Sequence, residues 1–323
     1  MGDPPGSKEQ DGISPTPGTP APPATSAGKA GAEAQAAPAT APVAPQEKPQ
    51  KRRERIERWG RYTDAFWQPV LNLVEVIGAH LLLLGQVFFW TVRRPYRVRI
   101  YREAMDFVGV GSLLIVALVG TFVGMVFSLQ SVSAFRQFQA ESFVGSTVAL
   151  ALTRELAPVF TSIMVAARAG SAMATELGSM RITEQIDALA TLAINPVQYL
   201  VAPRIVAATL MAPFLAMVFN VVGMLGAYFV AVGLQGVDRG VFIDRTRWFL
   251  DANDIAQGLV KATVFGLALS LISCYQGFFA GGGAKGVGIA TTRAVVGSFV
   301  TILVLDYFLT DIWLTLFSKG NYQ

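Results

Sequence analysis

The sequence predicts an all-α integral membrane protein with five transmembrane helices, an N-terminal interfacial helix and one short cytoplasmic helix. Of its 323 residues, 52% are hydrophobic and only 15% are charged, whereas soluble proteins carry about 25% charged residues. Long apolar runs occupy residues 108–129, 143–173, 205–234, 255–280 and 294–317. Each run reaches the roughly 20 residues that a helix needs to cross a hydrocarbon core about 30 Å thick. A soluble protein with five buried helices would need a large polar shell, which this composition does not supply.

The first 50 residues are dominated by Pro, Ala, Gly, Ser and Thr and contain almost no large apolar side chain. Such a segment cannot bury enough apolar surface to offset the entropy lost on ordering. We therefore expect residues 1–50 to form a disordered, solvated tail. The tail has no apolar stretch typical of a secretory signal.

Residues 51–102 consist of an apolar stretch, 66–92, between two basic clusters. Polar and small residues recur on one helical face of this stretch, which makes it amphipathic: Gln68, Asn72, Glu75, Ala79 and Gln86. A spanning helix would place one basic cluster on each side of the membrane, against the positive-inside bias. A helix in the cytoplasmic interface keeps both clusters beside anionic lipid. We therefore predict an interfacial or re-entrant helix here, followed by a five-span domain over residues 103–323.

The orientation of the spans follows from the basic residues between them. With the N-terminus in the cytoplasm, the inner segments carry most of the basic residues, in agreement with the positive-inside bias: the cluster at 93–102, Arg181, Arg204, Lys285 and Arg293. Five spans then place the C-terminus outside. The sequence predicts a multi-pass protein with its N-terminus in the cytoplasm.

The second apolar run contains four ionisable residues, Arg154, Glu155, Arg168 and Glu176, and a proline, Pro158, which removes a helical hydrogen bond. Ionisable groups at membrane depth are costly and usually face a cavity, a partner or a water path. A structural ion pair within the bundle is the alternative for Arg168 and Glu176. Small residues also recur every four positions and allow close helix approach, either within one chain or at a dimer seam: Ala166, Gly170, Ala174 and Gly178, with Gly120 and Gly124 on the preceding run.

A short amphipathic helix is predicted after this run, in RITEQIDALATLAINP. Thr183 is the predicted N-cap, and the acidic side chains of Glu184 and Asp187 suit the first turn of a helix. The apolar face is formed by Ile182, Ile186 and Leu189, and Asn195–Pro196 is predicted to end the helix. In a transporter that is driven by a separate ATPase, a cytoplasmic helix between two spans is the part that the ATPase would contact.

The sequence lacks the residues that several classes of chemistry require. Its one cysteine, Cys274, allows no internal disulfide, and its one histidine, His80, cannot form a metal site alone. There is no nucleophile with a base, no paired acids typical of an intramembrane enzyme, and no GxxxxGK[ST] phosphate loop. We therefore predict no enzymatic activity, no metal, no cofactor and no nucleic-acid partner.

Several long motifs follow one another along the chain: GTFVGMVFSLQ at 120–130, TRELAPVF at 153–160, AARAGSAMATELGSMRITEQIDAL at 166–189, INP at 194–196, and TTRAVV and LDYFLT at 291–310. In this order they resemble the signature of the MlaE/YrbE family of permeases, which work with MCE-type lipid-transport proteins. The resemblance covers roughly residues 55–317.

The resemblance implies a homodimer in the bacterial inner membrane, a cytoplasmic ABC ATPase pair that binds the ATP, and a periplasmic MCE protein. The substrates would be phospholipids or related lipids moved between the inner and outer membranes. The lipid would contact Phe127, Phe138, Arg154, Glu155 and Leu156. A coupling helix at about 183–192 would contact the ATPase through Thr183, Glu184, Gln185, Asp187 and Leu189.

One alternative stays open beside a lipid-transport permease. A self-sufficient channel or secondary transporter would use Arg154, Glu155 and Arg168 as an ion path, but it would give no role to the short cytoplasmic helix. Co-purification of an ATPase subunit distinguishes the two classes.

Overall fold

The structure, a computed structural model, describes residues 68, 71, 74–91, 93 and 97–317. The tail predicted over residues 1–50 and the first basic cluster lie outside the described residues. The described part of the chain is helical apart from short connections, and it contains no β-strand. This agrees with the predicted all-α class.

Within the described residues, six helices are long and apolar enough to cross a membrane: α1 (Val74–Thr91), α2 (Val98–Arg136), α3 (Glu141–Ile182), α5 (Val197–Leu234), α7 (Ala252–Phe278) and α8 (Gly283–Phe317). Two short helices, α4 (Gln185–Thr191) and α6 (Arg239–Phe249), lie between them. Five of the six long helices correspond to the five apolar runs. The additional helix is α1, whose 18 residues are the shortest of the six. Its predicted interfacial position, and hence the number of spans, stays a prediction.

Helix α1 packs on the other helices through one face. Leu83 and Val87 are buried, whereas Leu82 and Phe88 are more than 70% exposed. The imidazole ring of His80 lies 4.1 Å, centroid to centroid, from the ring of Tyr275 on α7. The single histidine of the sequence thus takes part in packing between α1 and α7.

The small residues predicted to allow close helix approach do so within one chain. A methyl group at Gly124 would overlap the backbone of Gly223 on α5. On the other ridge, Gly178 lies against Ala280 and Val287, and a methyl group at Gly277 of α7 would come 2.6 Å from the carbonyl oxygen of Ala174. Both glycine sets therefore serve intramolecular packing, which was one of the two readings that the sequence left open.

The outer surfaces of the long helices are apolar. Leu114 on α2 is 78% exposed, Leu225 on α5 is 64% exposed and Leu303 on α8 is 58% exposed. Contiguous apolar surface of this kind requires hydrocarbon or another protein as its environment. The fold is that of a multi-pass membrane protein.

Candidate functional site

Arg154 and Glu155 lie in a π-helical segment of α3, Leu152–Leu156. Pro158 follows at the start of the next α-helical segment. Because proline has no N–H group and its ring clashes with the carbonyl four residues earlier, the carbonyl of Arg154 loses its usual partner. The wider turn is closed instead by the N–H group of Ala157, which donates to the carbonyl oxygen of Leu152, five residues back. Single π turns of this kind are frequent at functional sites.

Glu155 belongs to an ion cluster that joins three helices. Lys261 of α7 donates from Nζ to Glu155 Oε2 at 2.5 Å and to Asp306 Oδ1 of α8 at 2.8 Å. The Lys261 side chain is only 2% exposed, whereas those of Glu155 and Asp306 are 38% and 23% exposed. A buried ammonium ion is tolerated only when it is paired and hydrogen-bonded. Here one cation is paired with two carboxylates, so the cluster carries a formal excess of negative charge.

Arg154 pairs with a different helix from Glu155. Its Nε donates to Asp254 Oδ1 at 2.8 Å, and its Nη2 lies 2.6 Å from the same oxygen. Asp254 is itself held by the capping box of α7, where its Oδ2 accepts a hydrogen bond from the N–H group of Asp251 at 3.0 Å. Asp254 is 5% exposed and Arg154 is 38% exposed. Among the described residues Nη1 of Arg154 has no hydrogen-bond partner, so this edge of the guanidinium is available to a ligand.

Arg154 and Glu155 do not pair with each other, because each pairs with a residue of another helix. Of the apolar residues assigned to the same site, Phe127 and Leu156 are half-buried and pack against the core. Phe138 lies two residues beyond the end of α2 and is 79% exposed. The ion pairs of the site go to α7 and α8, whereas Phe127 lies on α2.

Three residues of this site were not predicted from the sequence: Lys261, Asp254 and Asp306. A usable signal was present for two of them. Lys261 and Asp306 are single charges inside the apolar runs 255–280 and 294–317, which is the same signal that singled out Arg154 and Glu155.

Arg168 and Glu176, the other ionisable residues of α3, do not pair with each other. Arg168 donates to the backbone carbonyl oxygen of Phe107, and its guanidinium carbon lies 4.8 Å from the centre of the Phe107 ring. Glu176 Oε1 lies 2.9 Å from Nη2 of Arg204 on α5. Both charges therefore have structural partners on neighbouring helices, and of the two only Glu176 forms an ion pair with another described residue.

Comparison with known proteins identifies the family. The model of the family described as "Permease MlaE" matches residues 101–312. The chain belongs to the MlaE permease family. It is 39% identical over 254 residues to a probable ABC transporter permease protein of Rickettsia typhi, covering 75% of this chain and 98% of that protein.

Two further relatives of this permease carry a lipid in their names. The intermembrane phospholipid transport system permease protein MlaE of Haemophilus influenzae is 39% identical over 258 residues, covering 78% of this chain and 97% of that protein. The chloroplastic protein TRIGALACTOSYLDIACYLGLYCEROL 1 of Arabidopsis thaliana is 39% identical over 230 residues, covering 71% and 66%. The chain is thus a transporter permease.

In this permease the short helix between the second and third apolar runs, α4, differs from its prediction at both ends. Thr183 is not its N-cap. The Thr183 hydroxyl donates back to the carbonyl oxygen of Ser179 at 2.8 Å, as part of the end of α3. The N-cap is Glu184, whose left-handed φ of 59° reverses the chain between the two helices. At the other end α4 stops at Thr191, and Asn195 Oδ1 accepts hydrogen bonds from the start of α5 instead.

The amphipathic character of α4 is as predicted. Ile186 is 2% exposed, and Leu189 is half-buried against the core. Gln185 is exposed, and its Nε2 donates to Thr183 Oγ1 at 3.0 Å. Asp187 Oδ1 accepts from Nη1 of Arg181 at 2.6 Å. The apolar face is thus used inside the chain, and the polar face, with Glu184, is open to a partner.

Proposed function

We propose that this permease is the membrane subunit of an ABC transporter that moves phospholipids between the inner and outer membranes of a bacterium, together with a periplasmic MCE protein. The observation that carries the proposal is the charged step Arg154–Glu155 at membrane depth, with one guanidinium edge free of protein partners among the described residues. The name of the Haemophilus influenzae relative supports the substrate class.

At the proposed lipid site, Arg154 binds the phosphate of the head group. Guanidinium groups suit phosphate because their planar N–H donors match its oxygens. Asp254 fixes the orientation of Arg154 through its Nε and Nη2 groups. Phe127 and Leu156 supply apolar contact for acyl chains, and the exposed Phe138 extends this contact at the outer end of α2. The Glu155–Lys261–Asp306 cluster ties the π segment to α7 and α8.

ATP hydrolysis is assigned to a separate cytoplasmic polypeptide, which contacts the exposed face of α4 through Glu184, Gln185 and Asp187. Thr183 and Leu189 support this surface from within the chain. A second copy of the chain completes a homodimer and covers part of the apolar outer surface. The five-span topology, the cytoplasmic N-terminus and the periplasmic C-terminus complete the proposal.

The test of the lipid site uses variants that separate binding from assembly. Arg154→Ala alone leaves the buried Asp254 carboxylate unpaired, so the double variant Arg154→Ala/Asp254→Asn is the cleaner probe. The asparagine side chain introduced at position 254 keeps an oxygen that can accept from the N–H group of Asp251. We expect the double variant to assemble with its partners but to lose phospholipid photocrosslinking at positions 127 and 156. Arg99→Ala, which removes an 84% exposed arginine, is the matched control. Wild-type crosslinking in the double variant would disprove the lipid site.

A second measurement separates the proposal from a self-sufficient secondary transporter. The Lys261 cluster, with one cation between two carboxylates, is the observation that favours this alternative, because such groups also form ion paths. We expect an ATPase subunit to co-purify with the chain and lipid transfer to stop when that ATPase cannot hydrolyse ATP. Transfer that continues without ATP and follows an ion gradient would favour the alternative.

A further inference from the structure

A cavity of about 490 Å³ lies between α5, α6, the start of α7 and Thr153 of α3. Its volume is within the range of about 300–1,000 Å³ that is usual for small-ligand sites. None of the five residues assigned to the proposed lipid site lines it. Its wall is mostly apolar and includes Met217, Val221, Met224, Leu225, Phe242 and Ile243.

The length of the cavity matches the hydrocarbon part of one leaflet. Along α5 its lining runs from Met217 to Tyr228. At 1.5 Å per residue this distance is about 16 Å, close to half of a hydrocarbon core about 30 Å thick. Trp248 at the end of α6 is 80% exposed, as is common for tryptophan at the membrane–water interface. The cavity therefore lies in the leaflet beside α6.

Polar groups interrupt this apolar wall at two places, Asn220 on α5 and the pair Thr246 and Arg247 on α6. Asn220 and Thr246 both line the cavity, and Asn220 Oδ1 and Thr246 Oγ1 are buried without a hydrogen-bond partner among the described residues. Arg247, also in the lining, is exposed and makes no ion pair within the described part of the chain. The neighbouring Arg245 instead lies over the ring of Phe143.

We propose that this cavity binds an anionic phospholipid of the leaflet beside α6, with one acyl chain in the cavity and the phosphate on Arg247. The lipid enters sideways, because Val221 and Leu225 are 60% and 64% exposed at the edge of the cavity. This site is separate from the Arg154 site, and it requires only binding, whether or not the chain transports lipid.

The acyl-chain contact is tested with the purified full-length chain in nanodiscs that contain phosphatidylglycerol with a photoreactive group near the end of one chain. We expect adducts on the part of α5 from Met217 to Leu225. Met224→Trp fills the cavity and should remove most of these adducts. Phe214→Trp, at a 56% exposed position on the same helix that does not line the cavity, is the matched control and should keep them. Equal labelling in both variants, or labelling spread evenly over the exposed faces of α2 and α8, would mean annular lipid only and would overturn the proposal.

The head-group contact is tested by Arg247→Gln, a surface change that leaves the packing of the cavity intact. Labelling by phosphatidylglycerol should fall by roughly threefold, as for the loss of one exposed charge pair, whereas labelling by photoreactive diacylglycerol should not change. Arg239→Gln on the same helix is the control and should affect neither probe. Equal effects of the two variants, or of Arg247→Gln on the two probes, would exclude the phosphate contact.

The two lipid sites are distinguished in the same assay. Labelling of α5 should persist in Arg154→Ala/Asp254→Asn, which removes the proposed transport site. Loss of the α5 adducts in that variant would show that one site accounts for both observations, and this inference would be wrong. Persistence of these adducts, with loss of labelling at positions 127 and 156, supports two sites.

Discussion

Lys261 is the position where a single substitution tests the ion cluster most directly. Its ammonium group lies 2.5 Å from Glu155 and 2.8 Å from Asp306. Lys261→Met keeps a long apolar side chain but leaves the two carboxylates without their shared cation. Removing one partner of a buried ion pair costs about 3–5 kcal/mol. Because Glu155 is 38% exposed, we expect a loss near the lower limit, roughly 3 kcal/mol in the free energy of unfolding.

The measurement is equilibrium unfolding of the detergent-purified chain by sodium dodecyl sulfate in mixed micelles. The matched control is Lys285→Met, at an exposed position near the start of α8, which should change the free energy of unfolding by less than about 0.5 kcal/mol. A triple variant, Lys261→Met/Glu155→Gln/Asp306→Asn, removes all three charges. It should recover most of the lost stability, because replacing a whole buried ion cluster by neutral groups is often neutral.

Two results would refute this reasoning. If Lys261→Met were no less stable than Lys285→Met, the short contacts of Lys261 would not contribute to the folded state. If the triple variant were as unstable as the single variant, the loss would come from packing of the lysine stem rather than from the unpaired carboxylates. Lipid transfer by the triple variant is a separate readout, and we expect it to be lost although the protein is folded.

Three further predictions concern other parts of the chain. Gly124→Ala should destabilise the protein by about 1–3 kcal/mol through overpacking against the α5 backbone. Gly288→Ala, with no atom within 4 Å of the added methyl group, should not destabilise it. Equal free energies of unfolding for the two variants would contradict this packing. Charge reversal of Glu184 and Asp187 together should uncouple ATP hydrolysis from lipid transfer in a folded dimer, and full transfer by this variant would exclude the coupling role. Deletion of residues 1–50 should leave membrane insertion and outer-membrane integrity unchanged, and loss of either would contradict the composition argument.

The helical class and the five apolar runs could be predicted because their signal is local. A run of about 20 apolar residues is sufficient evidence for a span. The position of the first helix is harder to predict. Helix α1 is long enough to cross the membrane, but it also has polar residues along one face. The ends of α4 were misplaced for a related reason. Thr183 is a good N-cap residue, but its hydroxyl is already used by the carbonyl of Ser179, and the left-handed conformation of Glu184 has no sequence signal like that of glycine.

Two of the five charged residues of the candidate site could be predicted, and the other three depended on helices distant in sequence. Arg154 and Glu155 were found because charge in an apolar helix is conspicuous. Their pairing with Asp254 and Lys261 joins residues about 100 positions apart, which periodicity within one helix cannot reveal. Lys261 could have been singled out as a charge at membrane depth, but its two acidic partners could be assigned only once α3, α7 and α8 were placed together.

The π segments of α3 differ in how far the sequence accounts for them. The first, at 152–156, is explained by Pro158, since the proline leaves the Arg154 carbonyl without its partner. The second, Ala166–Gly170, has no proline after it, yet it carries Arg168. Its Gly170 lies against Ser273 of α7, with Ser273 Oγ 2.8 Å from where a methyl group would be. At both segments α3 departs from regular helix where it carries a charge and packs on α7. At the second segment, close packing on α7 and the contacts of Arg168 with Phe107 of α2 accompany the wider turn. These contacts are not visible in the sequence of α3 alone.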